Sequence, residues 1–375
     1  MLEPTIRKRP TIRDVAREAG VSYATVSRVL NAREWVSPEA VRAVQEAIAR
    51  TGYTANPHAR SLATGKSGSI AFLLTEPQHL LFEDPNFSVL LRGVAQALSV
   101  RELTLILMIA STPEERTRTV AYLAGGHVDG VLLVSPHSGD PLLGQLVQAG
   151  VPIVACGRVL GYEQLISSVM ADDRSGGRSA VEHLIAAGRS RIATITGPQD
   201  TAGGVDRLQG YHDALIAHGL PIEPARITHG NWSRDSGAAA MEALLAAAPD
   251  LDAVFAASDA MAAGALRVLR AAGRDVPGDV RVVGFDDSGL AATTEPPLST
   301  VRHPLDRVAE EMVRLLTDVI AGRTPLSVTV PTSLVLRASS PDTDPAFTGS
   351  SAENGSTPAH RPGAGHVPFP PKGAI

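Results

Sequence analysis

Over the first sixty residues the apolar positions recur three or four apart. In "TIRDVAREAG", Ile12, Val15, Ala16 and Ala19 share one helical face. Thr11 stands where an N-cap belongs, Asp14 makes a weak capping box with it, and Gly20 offers a left-handed stop. "VSYATVSRVLN" repeats the pattern, with Ser22 as cap, Val26, Val29 and Leu30 facing inward, and Asn31 closing the segment. In "SPEAVRAVQEAIARTGY", Ser37 caps, Pro38 takes the first helical position, and Val41, Val44 and Ile48 form the inward stripe. Just two residues, Gly20 and Val21, separate the first two helices, and Ala16 is small where they would cross. Two short helices on a glycine turn, braced by a third, make a helix-turn-helix.

From Ser69 the pattern changes to short continuous apolar runs alternating with amphipathic stretches. "IAFLL", "LTLILMIA", "GVLLVS" and "PIVACG" suit buried parallel strands, and "IATITG", "AVFAAS" and "RVVGFDD" form a second series. Helical patterning lies between them in "FSVLLRGVAQALSV", Thr119–Gly126, "SGGRSAVEHLIAAG", "RLQGYHDALIAHG" and "DAMAAGALRVLRAAG". The expected fold is an all-α helix-turn-helix headpiece followed by an α/β body of two doubly wound parallel-sheet lobes. Crossings between lobes are expected near 168–173, 298–301 and 326–330. After Ala338 the chain is Pro, Gly, Ser and Thr without periodicity, which reads as a disordered tail. The expected divisions are therefore a headpiece at 1–55, a short helix and linker at 56–67, the body at 68–338 and the tail at 339–375.

Composition narrows the classes. Apolar residues make up 44% and charged residues 19%, as in a soluble globular protein. Cys156 is the single cysteine, so an internal disulfide is excluded, and its place in a strand run predicts burial rather than reactivity. "MLEPTIRKRP" is basic but leads into no apolar signal core, and "LILMIA" is far short of a membrane span. A cytoplasmic protein without membrane contact is expected. The net charge of −5 is split unevenly. Residues 1–66 carry eleven Lys/Arg against six Asp/Glu, a balance of +5, which leaves −10 on the rest. A basic head on an acidic body suits a polyanionic partner for the head.

The second helix gives that suggestion chemistry. Its outward face offers Tyr23, Ala24, Thr25, Ser27 and Arg28, with no Asp or Glu to repel phosphate. Arg28 can pair with both acceptors of a guanine, worth roughly 1–3 kcal/mol of discrimination. In "NPHARSLATGKSG" the "GKS" imitates a phosphate-binding loop, but Arg60 stands where that loop needs its first glycine. Asn56-Pro57 instead starts a helix of about two turns, too short to be stable alone. No H-E-x-x-H, G-x-S-x-G or zinc-type Cys/His spacing occurs, so no catalytic residue, metal or cofactor is expected. The strand ends supply candidates for a small-molecule cleft: Phe82, Asp84, Phe87, Arg158, Arg207, Trp232, Ser258, Asp259, Asp286 and His303. Carboxylates and guanidinium groups bind hydroxyls, and an aromatic face suits a sugar ring. Structural alternatives stay open: Asp259 as a helix cap, Arg207 as a core ion pair, Trp232 as packing.

"TIRDVAREAGVSYATVSRVLN" and "VSPEAVRAVQEAIARTGYTANPHARSLATGKSGSIAFLL" resemble the LacI/GalR family of bacterial transcription regulators, and the resemblance runs to about Ala338. It implies a homodimeric repressor of carbohydrate-use genes on a near-palindromic operator, with a body shaped like a periplasmic sugar-binding protein. By the resemblance, Tyr23, Ala24 and Arg28 fall at base-reading positions. Thr11, Ser22, Thr25, Ser27 and Asn31 fall among phosphate contacts. Ala24 is short for such a position and suits a thymine methyl. Asn56, Ala59, Arg60, Ser61 and Leu62 fall in the family's hinge helix, with Leu62 at the minor-groove wedge. Without the resemblance, Leu62 reads as packing on the body. Arg207, Trp232 and Asp286 fall at effector positions, while Ser258 replaces an Asn that several relatives use. "HVDGVLLVSPHSGDPL", "GGRSAVEHLI", "RIATITG" and "LDAVFAASDAMAAGA" are similar to the cellobiose-responsive regulators of high-GC bacteria. A sugar inducer is the first reading. A corepressor, or a sugar-binding protein without DNA, are the alternatives. The tail lacks leucine heptads, so no tail-driven tetramer is expected.

Overall fold

The computed structural model describes residues 10–31, 36–53, 66–78, 80–324 and 326–342. The hinge residues expected at 56–62 and the side chain of Asn31 lie outside the described residues.

The headpiece holds α1 (Ile12–Ala19), α2 (Tyr23–Asn31) and α3 (Pro38–Thr51). The Asp14 carboxylate accepts from the Thr11 amide at 2.9 Å and its hydroxyl at 2.7 Å, so the N-terminus of α1 is capped as the sequence suggests. Gly20, at φ 65°, turns the chain, and the Val21 amide donates back to the Ala16 carbonyl at 3.1 Å. Ser22 caps α2 by accepting from the Thr25 amide at 3.1 Å. Val15, Ala16, Val26, Val44 and Ala47 are the buried centre; of the expected α3 stripe Val44 is fully buried, Ile48 packs half-buried against the cluster and Val41 is half-buried, while Ala47 takes a core place the sequence reading did not give it. Arg50 of α3 ties to Glu18 of α1 at 2.8 Å.

The body contains two six-stranded sheets. In chain order the strands are β1 (Ser69–Leu74), β2 (Thr104–Ile109), β3 (Gly130–Val134), β4 (Ile153–Cys156), β5 (Ser167–Ala171), β6 (Ile192–Thr196), β7 (Ile227–His229), β8 (Ala253–Ala256), β9 (Arg281–Asp286), β10 (Ser299–Arg302), β11 (Ser327–Val330) and β12 (Ser333–Val335). The sheet orders are β11-β5-β4-β3-β1-β2 and β12-β10-β9-β8-β6-β7. Every pairing is parallel except β10 with β12. In each sheet the order reverses once, beside β1 and beside β6, which is where doubly wound folds bind ligands.

Strand pleating sorts the side chains. Ile70, Phe72 and Leu74 of β1 enter one core layer, while Ala71 and Leu73 enter the layer on the opposite face. β8 divides likewise, Val254 and Ala256 one way and Ala253 and Phe255 the other. The helices that cover these faces are α4 (Leu80–Glu83), α5 (Pro85–Ser99), α6 (Pro113–Ala124), α7 (Pro141–Gln148) and α8 (Asp173–Ala186), then α9 (Ala202–Ala217), α10 (Arg234–Ala247), α11 (Asp259–Ala271) and α12 (Leu305–Ile320).

The chain changes lobe three times. It leaves β5 through Asp172 into α8, leaves β10 through 303–304 into α12, and leaves β11 through 331–332 into β12. The last two crossings fall later than the expected 298–301 and 326–330, because those spans are largely strand themselves. The expected tail also starts too early. Ser339 and Ser340 are fully buried; Ser339 Oγ donates to the Val282 carbonyl at 2.6 Å, and Arg281 Nη1 donates to the Pro341 carbonyl at 2.6 Å. Short polar residues that look unstructured in sequence thus seal the edge of the second sheet. The remainder of the tail lies outside the described residues.

Helix pairs in the second lobe cross on glycines. A Cβ on Gly264 of α11 would stand 2.1 Å from the Arg234 carbonyl oxygen and 2.7 Å from the Ala238 amide of α10. Both neighbours are backbone, so neither can yield cheaply. Gly203 of α9 has nothing closer than 3.9 Å. Ala is about 1 kcal/mol better than Gly in a helix, whereas overpacking costs about 1–3 kcal/mol. Gly264→Ala should therefore lower the melting temperature of the body, and Gly203→Ala should leave it unchanged or raise it. Calorimetry of the two variants checks the contrast.

Candidate functional site

The carboxyl ends of both sheets face each other across a cleft of about 900 Å³, part of it open to solvent. Lobe one brings Ser135 after β3, Cys156 at the end of β4, Arg158 beyond it, and Asp84, Asn86 and Phe87 at the start of α5. Lobe two brings Thr201 before α9, Arg207 within it, Trp232 before α10, Ser258 after β8 and Asp286 at the end of β9. Asp173 and His303 stand at two of the crossings and also line the cleft. Loops at strand ends carry side chains that the sheets hold rigidly, which is how this fold class builds a ligand site.

Arg207 is the best-anchored group of the wall. Its exposure is 6%, and it lies in the second turn of α9 rather than opening the helix. Nε donates to Asp173 Oδ1 at 2.7 Å, and Nη1 donates to the Ala257 carbonyl at 2.6 Å and to Asp286 Oδ1 at 3.3 Å. The guanidinium carbon sits 3.6 Å from the centre of the Phe285 ring and 5.4 Å from that of Trp232. The ion-pair alternative read from sequence and the cleft-wall reading are thus both true of one side chain. Burial raises the Asp286 carboxyl well above its ordinary range, opposed by the Arg207 charge.

Trp232 and Asp286 hold positive φ angles of 71° and 117°. Such conformations cost roughly 1–3 kcal/mol each and gather at ligand clamps. The Trp232 ring lies flat on Gly197, where a Cβ would come within 2.0 Å of the indole. Glycine at 197 is therefore what lets the ring take this place as a wall of the cleft.

Ser258, not Asp259, caps α11, accepting from the Met261 amide at 3.2 Å. The Asp259 carboxylate is instead fully buried and accepts from Thr300 Oγ1 at 2.6 Å and the Ser288 amide at 2.8 Å. It pins the loop that follows Asp286, and burial raises its pKa to about 6. Asp84 caps α5 through the Asn86 amide at 2.9 Å, and burial raises its pKa also. Burial pulls His303 down to about 4, which leaves a neutral imidazole edge-on to Phe285.

Of the sequence candidates, Asp84, Phe87, Arg158, Arg207, Trp232, Ser258, Asp286 and His303 meet in this cleft. Phe82 does not: it lies on α4 with 80% of its surface exposed, because that single turn buries its neighbour Leu81 instead. Sequence reading missed Asn86, Asp173 and Thr201. Asp173 carried a signal, since it follows a strand and opens a glycine-rich helix. Cys156 is half-buried and lines the cleft rather than the core alone. Burial pushes its thiol up to about 12, so it stays protonated near neutrality. Among the described residues, no group of three or more His, Cys, Asp or Glu is placed to hold a metal, and no helix is long and apolar enough to cross a membrane.

In the headpiece, Ser22, Tyr23, Ala24 and Arg28 are exposed along one side of α2, and Thr25 and Ser27 are half-buried beside them. Thr11 is exposed at the start of α1. The apolar face of α2 is thus spent on the headpiece core, and its polar face is presented outward.

Comparisons with known proteins agree with this architecture. Residues 11–56 match bacterial regulatory proteins of the lacI family, and residues 181–340 match the periplasmic binding protein-like domain. The chain is 48% identical over 336 residues to the HTH-type transcriptional regulator CelR of Thermobifida fusca, covering 89% of this chain and 99% of that protein. It is 33% identical to the regulator AscG of Escherichia coli over 314 residues, 83% of this chain and 92% of that one. A solved transcriptional regulator CelR-cellobiose complex superposes with a TM-score of 0.72 at 46% identity, covering 88% of this chain and all (100%) of that one. The lac repressor dimer bound to operator and the anti-inducer ONPF superposes with a TM-score of 0.78 at 27% identity, over 89% of this chain and 100% of that one. A helix-turn-helix headpiece, a two-lobed body and relatives matched along nearly their whole length lead to one conclusion: the chain belongs to the LacI family of bacterial regulatory proteins.

Proposed function

We propose that the protein is a homodimeric repressor of carbohydrate-use genes that leaves its operator when a neutral β-linked disaccharide, cellobiose, binds between the lobes. It acts in the cytoplasm, on the nucleoid when bound to DNA. The observation that carries the ligand class is how the polar groups of the cleft wall are paired. Both guanidinium groups are already engaged, Arg158 with Asp206 at 2.7 Å and Arg207 with Asp173 and Asp286. Asp84, Asp173 and Asp286 leave the wall rich in acceptors. Such a wall receives hydroxyl donors and repels phosphates and sugar acids. The Trp232 indole lines the cleft and adds apolar surface for a pyranose. The cellobiose complex of the similar regulator supports the choice within neutral sugars.

On the DNA side, Tyr23, Ala24 and Arg28 read base edges in the major groove, and Thr11, Ser22, Thr25, Ser27 and Asn31 hold phosphates. Asn56, Ala59, Arg60, Ser61 and Leu62 order as a hinge helix in the central minor groove, where Leu62 wedges a base step. A helix of that length is unstable alone, so its folding is coupled to the DNA and to the partner's hinge. Sugar need only favour the conformation that binds DNA poorly. A preference of roughly 100-fold supplies about 2.7 kcal/mol of coupling.

Two outcomes are expected. With an operator selected from random duplexes, fluorescence anisotropy should show tight binding that falls steeply with salt and weakens when cellobiose is added. Tighter DNA binding with the sugar would make it a corepressor, and no specific site at all would end the repressor reading. Leu62→Ala should weaken operator affinity by about tenfold or more, with cellobiose affinity unchanged by calorimetry. Equal operator affinity would remove the wedge role.

A further inference from the structure

Away from the cleft wall, one histidine spans the two lobes. His137 follows β3 on lobe one. Its Nε2 lies 2.9 Å from Glu76 Oε1, also on lobe one, and its Nδ1 lies 2.8 Å from Asp200 Oδ2, on the loop after β6 of lobe two. The Ser138 amide donates to the Asp200 carbonyl at 2.8 Å, so the backbone of the same loop is held as well. Glu76 is itself fixed: its carboxylate accepts from Ser135 Oγ at 2.5 Å, and its carbonyl accepts from Ser111 Oγ at 2.8 Å. The lobe-one half of the contact is therefore rigid and mostly buried, with 9% of the Glu76 side chain exposed against 52% of Asp200.

The geometry points to His137 and Asp200 as positioning residues for effector binding: a latch that closes the lobes over the sugar without touching it. This rests on the proposed cleft function and adds a residue pair that the cleft itself does not contain. Neither His137 nor Asp200 lines the cleft. Both ring nitrogens face a carboxylate, so the ring donates from both as an imidazolium. Consistent with that, the two hydrogen bonds, Glu76 first and Asp200 next, hold His137 up at about 9. When the lobes part, Glu76 stays with the ring and Asp200 leaves. Closure therefore takes up protons over the interval between the open-state and closed-state values. The sign follows: the latch is complete at neutral pH and is lost as pH rises through about 9. The charged groups acting on the ring are Glu76 and Asp200, and Arg116 and Asp140 form their own pair at 3.4 Å behind the loop. Arg158 with Asp206 is a second bridge between lobes, but it belongs to the cleft wall.

The test uses the full chain, cellobiose as probe, and His137→Gln, Asp200→Ala and the double variant. Stopped-flow binding should show cellobiose leaving each single variant about 3–10 times faster, with the association rate little changed. The double variant should be no worse than either single one. Wild-type affinity should fall between pH 8 and pH 10, and that fall should be absent in His137→Gln. Additive losses, or an unchanged pH profile, would overturn the latch. Hydrogen exchange without sugar provides an arm that does not depend on the ligand. At one pH, both variants should exchange the 157–158 and 201–204 amides faster than wild type, with melting temperatures unchanged. If cellobiose does not bind wild type, the ligand reading fails while this arm still decides the latch, and unchanged exchange in both variants would overturn it.

Discussion

The buried guanidinium of Arg207 is the constraint on which the cleft depends. It holds Asp173, which opens the first helix of lobe two, and Asp286, which ends a central strand of the same lobe. It also lies over Phe285 and reaches the carbonyl of Ala257, just before the cap of α11. Three separate chain segments are thus referred to one cation. Burial raises the Asp286 carboxyl well above its ordinary range even so, and the Arg207 charge opposes that rise. Arg207 also fixes where the Asp173 and Asp286 oxygens stand in the wall. Removing it costs more than a hydrogen bond, because two buried carboxylates would lose their shared countercharge.

Lobe closure uses a different balance. The ion pairs named across the gap, His137 with Asp200 and Arg158 with Asp206, are partly wet. Exposed and half-exposed pairs are weak singly. Weakness suits a regulator, since lobes locked shut by strong contacts would leave a ligand nothing to decide.

Much of this was legible in the chain. The headpiece could be read because its caps, turn glycine and apolar spacing all agree locally. The central strands were legible as continuous apolar runs. The peripheral elements were not. β7, β11 and β12 are three or four residues long and mix polar with apolar residues, and their pairing with β6, β5 and β10 is decided by distant sequence. Ser339 and Ser340 carry no local signal of order, since their partners, Val282, Ser299 and His183, lie far back in the chain. In the cleft, residues at the ends of strongly apolar strands were found, while Asn86 in the first turn of α5 and Thr201 at the cap of α9, which carry no strand signal, were not. Phe82 failed because aromatic character says nothing about which way a single helical turn faces.

The central claim is that the Arg207 ion triad forms the part of the cleft through which sugar releases DNA. Arg207→Lys tests it most directly, since lysine keeps the charge but cannot serve Asp173, Asp286 and the Ala257 carbonyl together. Operator binding by the variant, followed by anisotropy during a cellobiose titration, is the measurement. The account predicts a protein that binds operator as tightly as wild type and needs about a hundredfold more cellobiose, or more, to leave it. Release at the wild-type sugar concentration would contradict it.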